Sequence, residues 1–196
     1  MTGSRTVSHV YEDPLDRIWT ATAERIGFRI VRGSDVYASY DGAGTLTIGT
    51  PETLDADDCL AQMIFHECCH ALVQGRDALR SVDFGLDNRT GRDDEREHAC
   101  LVTQAILASR HGLREFLAPT TDYRAFWNGL GDDPRAGCTP TVGTLVAAAL
   151  RAAALPPFAP HLEDALAATA AIVRLARPFT TESIEGPRRS LYDPTR

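Results

Sequence analysis

The residues best placed by type and spacing to do chemistry are His66-Glu67-Cys68-Cys69-His70, near the middle of a 196-residue chain. On a helix the two histidines stand at i and i+4, about 40° apart on one face, so their imidazoles can grip a single ion. Two neutral imidazoles half-fill the tetrahedral site of a borderline-soft divalent metal, and Zn2+ is the favoured ion. Glu67 lies one step round the helix. From there its carboxylate can reach a water in an open position without being a ligand, which is where a general base belongs. Two imidazoles alone hold zinc weakly, so a third donor must come from another element. The run Asp93-Asp94-Glu95-Arg96-Glu97-His98 offers candidates, and helical phase leaves two of them open. Glu97 shares a face with Leu101, Gln104 and Ala108, and Glu95 shares the opposite face with Ala99, Val102 and Ile106.

Several elements must carry these groups. Asp13-Pro14 followed by Leu15, Ile18, Trp19, Ala23 and Ile26 gives a cap, a proline in the first turn and an apolar stripe, predicting a helix over 14–26 that stops at Gly27. Three strand-type runs follow at 28–31, 36–40 and 45–48, separated by Gly33-Ser34-Asp35 and Asp41-Gly42-Ala43-Gly44. They read as a small meander. The last of them, ahead of the histidine helix, reads either as an edge offered to an extended peptide or as an ordinary half-buried strand. The histidines fall in a long helix predicted over 55–74, closed by Gly75. Residues 75–91 read as a loop, of a length that usually serves function. The acidic start at Asp93-Asp94-Glu95 opens a helix over about 92–110, since carboxylates suit a helix N-terminus. Further helices are expected near 122–129, 141–154 and 160–175, and residues 177–196 read as an extended tail. The expected organisation is therefore one α+β domain over 1–176, with its core at about 14–110, a helical extension over about 111–176, and the tail.

The order helix, three-stranded sheet, HExxH helix, acid-bearing helix resembles the minimal core of the zincin (gluzincin) metallopeptidases. Within it, Glu95-Arg96-Glu97-His98-Ala99-Cys100-Leu101-Val102 is similar to the E-x-E-A-N-x-F-A segment of ImmA/IrrE-type peptidases, whose second Glu binds zinc. The resemblance covers roughly residues 14–110 and implies a zincin-like fold. It makes His66, His70 and Glu97 the metal ligands, Glu67 the general base, and a peptide or protein the substrate. Ala99 stands where that family usually has Asn, and His98 where it has Ala. The two positions inside the motif are Cys-Cys rather than an aliphatic and a small residue. The stabiliser of the oxyanion is left among Tyr123, His98 and His111.

Composition narrows the alternatives. All twenty positive charges are Arg, so lysine Schiff-base chemistry and the GK[ST] phosphate loop are excluded. A net charge of -7 argues against a nucleic-acid partner. The opening residues carry no apolar leader, and the apolar stretches near the C-terminus are interrupted by Arg151, Pro156, Pro157, Glu163 and Asp164, so no membrane partner is expected. Five cysteines without a CxxC pair fit a reducing cytoplasm. Cys59, Cys68 or Cys69, Cys100 and Cys138 could also gather a second metal or a cluster, with buried free thiols as the plainer expectation. Trp19 and Trp127 are expected to fill core. Asp83-Phe84-Gly85-Leu86-Asp87-Asn88 is either a substrate-facing loop or ordinary turn chemistry. The rival to a peptidase is a non-catalytic metal-binding regulatory or sensor protein on the same scaffold. Sequence does not set the oligomeric state.

Overall fold

The computed structural model describes His9 and residues 11–87, 90–119 and 121–179. Its architecture is α+β, with six α-helices and one three-stranded sheet. The expected tail lies outside the described residues beyond Phe179, which closes a short 3-10 turn at Arg177–Phe179. No helix among the described residues is long and apolar enough to cross a membrane.

Helix α1 spans Pro14–Ile26. Asp13 caps it by accepting from the Leu15 amide at 2.8 Å, and Gly27 ends it in the left-handed region at φ 114°. Strands β1 (Arg29–Gly33), β2 (Ala38–Tyr40) and β3 (Thr45–Gly49) follow, but their spatial order is β1-β3-β2 rather than a meander. β3 is central, parallel to β1 and antiparallel to β2. Residues 34–37 carry the chain past β3, and a few extended residues at ~3.3 Å each suffice to cross two strand spacings of ~4.8 Å. Both sides of β3 are thus occupied, so of its two readings the edge is excluded and the half-buried strand stands. The sheet's edges belong to β1 and to β2. The turn from β2 back to β3 is tied by Asp41, whose Oδ1 accepts from the Ala43 and Thr45 amides.

Helix α2 spans Leu60–Gln74, starting five residues later than predicted. Residues 51–58 form turns instead, in which Asp58 accepts from the Asp55 amide, and Cys59 supplies the cap through Sγ to the Gln62 amide. The 75–91 connection holds two short 3-10 segments, Arg76–Arg80 and Val82–Gly85. Helix α3 (Asp94–Ser109) then returns along α2, and α4 (Thr121–Gly129), α5 (Pro140–Ala153) and α6 (His161–Ala176) complete the chain.

One apolar cluster runs through α1, β2, β3, α2, α3, α5 and α6, with Trp19, Leu46, Ile64, Phe65, Leu166 and Ala149 fully enclosed. Trp19 packs on Phe65 at 5.1 Å between ring centroids and donates its indole N–H to Thr169 Oγ1 at 3.0 Å, which ties α1 to α6. Trp127 is likewise enclosed, against Ala105 and Ala118. This cluster holds α2 and α3 side by side, and the ligand candidates lie along their seam.

Candidate metal centre

On α2, the i, i+4 spacing turns His66 and His70 to the same cleft, with their Nε2 atoms 3.0 Å apart and their rings nearly perpendicular at 83°. On α3, Glu97 is turned to the same point. Its Oε1 lies 3.6 Å from His66 Nε2 and its Oε2 lies 3.4 Å from His70 Nε2. Two donors each about 2.0–2.1 Å from one tetrahedral ion stand about 3.3 Å apart, so the three observed separations suit a shared ion. The donor chemistry fits as well. Glu97 is only 9 % exposed, and its Oε1 is buried without a hydrogen-bond partner, an acceptor waiting for a cation. Glu95, the other candidate, is exposed and accepts from Thr139 Oγ1 at 2.7 Å at the cap of α5.

A residue that the sequence reading missed fixes His66. Gln104 is fully buried on α3, two turns beyond Glu97; its Nε2 donates to the Leu117 carbonyl at 2.8 Å, which leaves its Oε1 to accept from His66 Nδ1 at 2.8 Å. His66 therefore carries its proton on Nδ1 and turns the Nε2 lone pair to the cleft, as a metal ligand must. A buried Gln inside the apolar run Ala99–Leu107 was the available signal. Burial, and then the His66 ring, hold His70 well below the usual imidazole value, so it is neutral.

Glu67 is 7 % exposed and lines the same cleft. Burial pushes its carboxyl up to about 7, with the His66 ring pulling the other way and the charges of Glu97 and Asp83 adding to the rise. Its affinity for a proton is thus matched to neutral pH, which suits a group that takes up and returns one. Burial raises Glu97 above the usual carboxylate value as well.

Cys100, one turn after Glu97, completes a set with His66, His70 and Glu97 whose donor atoms lie within 4.8 Å of one another. Its Sγ stands 3.8 Å from His66 Nδ1, the nitrogen bonded to Gln104, and donates to the His66 carbonyl at 3.6 Å, so the thiol backs the ring. Burial holds this thiol well above its ordinary value. All five cysteines are free thiols, with Cys68, Cys69 and Cys100 buried. Among the described residues no group of three cysteines comes together, so the Cys-only cluster weighed above does not form.

The cleft measures about 310 Å³. Its walls come from α2, from Tyr37 to Ser39 around β2, from Asp83, Phe84 and Leu86, and from Pro119, Asp122 and Tyr123. The 83–86 segment thus faces the site. Asp83 and Phe84 sit in the left-handed region at φ 48° and 56°, a conformation costly for residues with a Cβ. Two contacts hold them there: Asp83 Oδ1 accepts from the Tyr40 amide at 2.8 Å, and Phe84 stacks on Tyr40 at 4.4 Å. Of the three oxyanion candidates, only Tyr123 reaches the cleft, 38 % exposed. Burial, with the charge of Glu97 behind it, pushes its phenol up to about 12, so it keeps its proton. His98 instead stacks on Phe126 at 4.2 Å, and His111 pairs with Glu163 at 3.0 Å.

Comparison with protein-family models, with curated proteins and with solved structures found no match to this chain.

Proposed function

We propose that this chain is a zinc-dependent metallopeptidase of zincin type that hydrolyses a peptide bond in a peptide or protein substrate. The observation that carries this reading is the convergence of His66 Nε2, His70 Nε2 and the Glu97 carboxylate in one cleft, with the buried carboxyl of Glu67 beside them. Zn2+ held by those three residues would supply an acidified water and a Lewis acid for the scissile carbonyl. Glu67, whose buried carboxyl lines the same cleft, takes the proton of the attacking water and passes it to the leaving amine. Tyr123, protonated and facing the cleft, donates to the oxygen on which charge develops. The edge of β2 orients the substrate. Tyr37 O and the Asp41 amide are engaged with β3, Asp83 occupies the Tyr40 amide, and the alternation of a strand turns the Ala38 backbone groups outward to an extended peptide.

A second reading follows from Cys100: a thiolate swung onto the ion would close the site into a non-catalytic regulatory or sensor centre. One substitution separates the two. Glu67→Gln is expected to retain about one zinc per chain and to lose peptide cleavage by about 100-fold or more. Equal cleavage by parent and variant would remove Glu67 from the chemistry, and absence of cleavage in both would favour the closed site.

A further inference from the structure

Helix α2 carries one more polar residue at the wall of the cleft, and the chemistry above leaves it unused. Gln62 lies one turn before His66 on the stripe that continues through His66 and His70, and it lines the same cleft. It is 2 % exposed, yet neither its Oε1 nor its Nε2 has a hydrogen-bond partner. Its neighbours along the helix, Ala61, Met63, Ile64 and Phe65, are buried and apolar. Packing alone would place a Leu or Met there, because a buried amide with both ends unpaired is destabilising. Such an orphan at the wall of a cleft is what a site built to pair with a ligand looks like before the ligand arrives.

The chemistry of the orphan defines its complement. A carboxamide offers a donor and an acceptor side by side, and another carboxamide satisfies both with two hydrogen bonds. An ammonium would satisfy only Oε1 and a carboxylate only Nε2. Asp83 and Asp122 line the same cleft, which further disfavours a carboxylate. Gln62 stands four residues, about 6 Å along the helix axis, from His66, close to the reach of a side chain on the residue next to the scissile bond. Resting on the peptidase reading above, we propose that Gln62 determines substrate specificity by pairing with the side-chain carboxamide of an Asn or Gln adjacent to the cleaved bond.

The test uses short peptide hydroxamates that differ only in the side chain beside the hydroxamate: Gln, Asn, Leu, Glu or Lys. They are titrated calorimetrically into the zinc-loaded protein. The hydroxamate grips the metal, so binding is read without turnover. The Gln or Asn probe is expected to bind about tenfold or more tighter than the Leu probe. Gln62→Leu and the slimmer Gln62→Met should each abolish or reverse that preference, with a melting temperature at or above that of the parent. Equal binding of the carboxamide and Leu probes by the parent, or an unchanged preference in either variant, would overturn the role of Gln62 while leaving the metal centre intact. Failure of every hydroxamate to bind the zinc-loaded chain would overturn the metal-centre reading and the Gln62 proposal with it.

Discussion

His66 and His70 turn their Nε2 atoms to one point; the Gln104 amide at 2.8 Å fixes His66 from behind, whereas His70 Nδ1 is buried without a hydrogen-bond partner. Glu97 supplies the negative charge that a cation there requires, and Glu95 spends its carboxylate on Thr139 at the cap of α5. Glu97→Ala is therefore expected to lower zinc content from about one per chain to near zero after dialysis, while Glu95→Ala retains it. The reverse pattern by elemental analysis would exchange their roles. The histidine pair was legible in the sequence because an i, i+4 spacing fixes a shared face whatever surrounds it. The third candidate ligand was not legible by phase. Ala99, Cys100, Leu101, Val102, Thr103, Gln104 and Ala105 are all buried, so α3 has no solvent face there to betray its rotation. Only the resemblance favoured Glu97. Gln104 shares the face of Glu97 in the sequence, but its role and that of Gln62 are not legible there, because polarity in an apolar run acquires meaning only once its partners, or their absence, are known.

At the scale of elements, hydrophobic period and capping chemistry locate the six α-helices among the described residues, as Asp13-Pro14 and Gly27 do for α1, but not the short 3-10 segments. Strand order was lost because local turn signals imply neighbours in sequence, whereas the choice of partner for β1 is a long-range matter of packing. The start of α2 was placed too early because Asp55, Asp57 and Asp58 read equally well as a helical first turn and as the turn that precedes the cap. The 81–86 segment shows how an element can be held against its own backbone preference. Phe84 is 3 % exposed, stacked on Tyr40 and set edge-on to Phe28, and its ring lies parallel within 22° to that of His70 at 6.3 Å. Phe84→Ala removes that packing while the strained backbone remains. It is expected to cost about 3–5 kcal/mol in chemical denaturation. A loss below about 1 kcal/mol would mean that the segment is not anchored to the sheet through this ring.

Across the whole molecule, the apolar cluster that joins α1, the sheet, α2, α3, α5 and α6 places the ligand seam inside the cooperative structure rather than on a loose appendage. A metal bound at this seam would therefore be linked to folding. Free zinc at about 100 times its dissociation constant should stabilise the native state by about 2.7 kcal/mol. For a chain of this size that corresponds to a rise of about 5–10 °C in the melting temperature. The same addition should leave His70→Ala unshifted. An equal shift in that variant would place the ion elsewhere, for instance at the exposed Asp55, Asp57 and Asp58 group.

The most direct measurement of the central claim is zinc K-edge X-ray absorption on the zinc-loaded protein. Nitrogen and oxygen donors alone are expected at about 2.0–2.1 Å, from His66, His70, Glu97 and solvent. A sulfur scatterer at about 2.3 Å, lost in Cys100→Ser, would mean a site closed by the thiol and would contradict that claim.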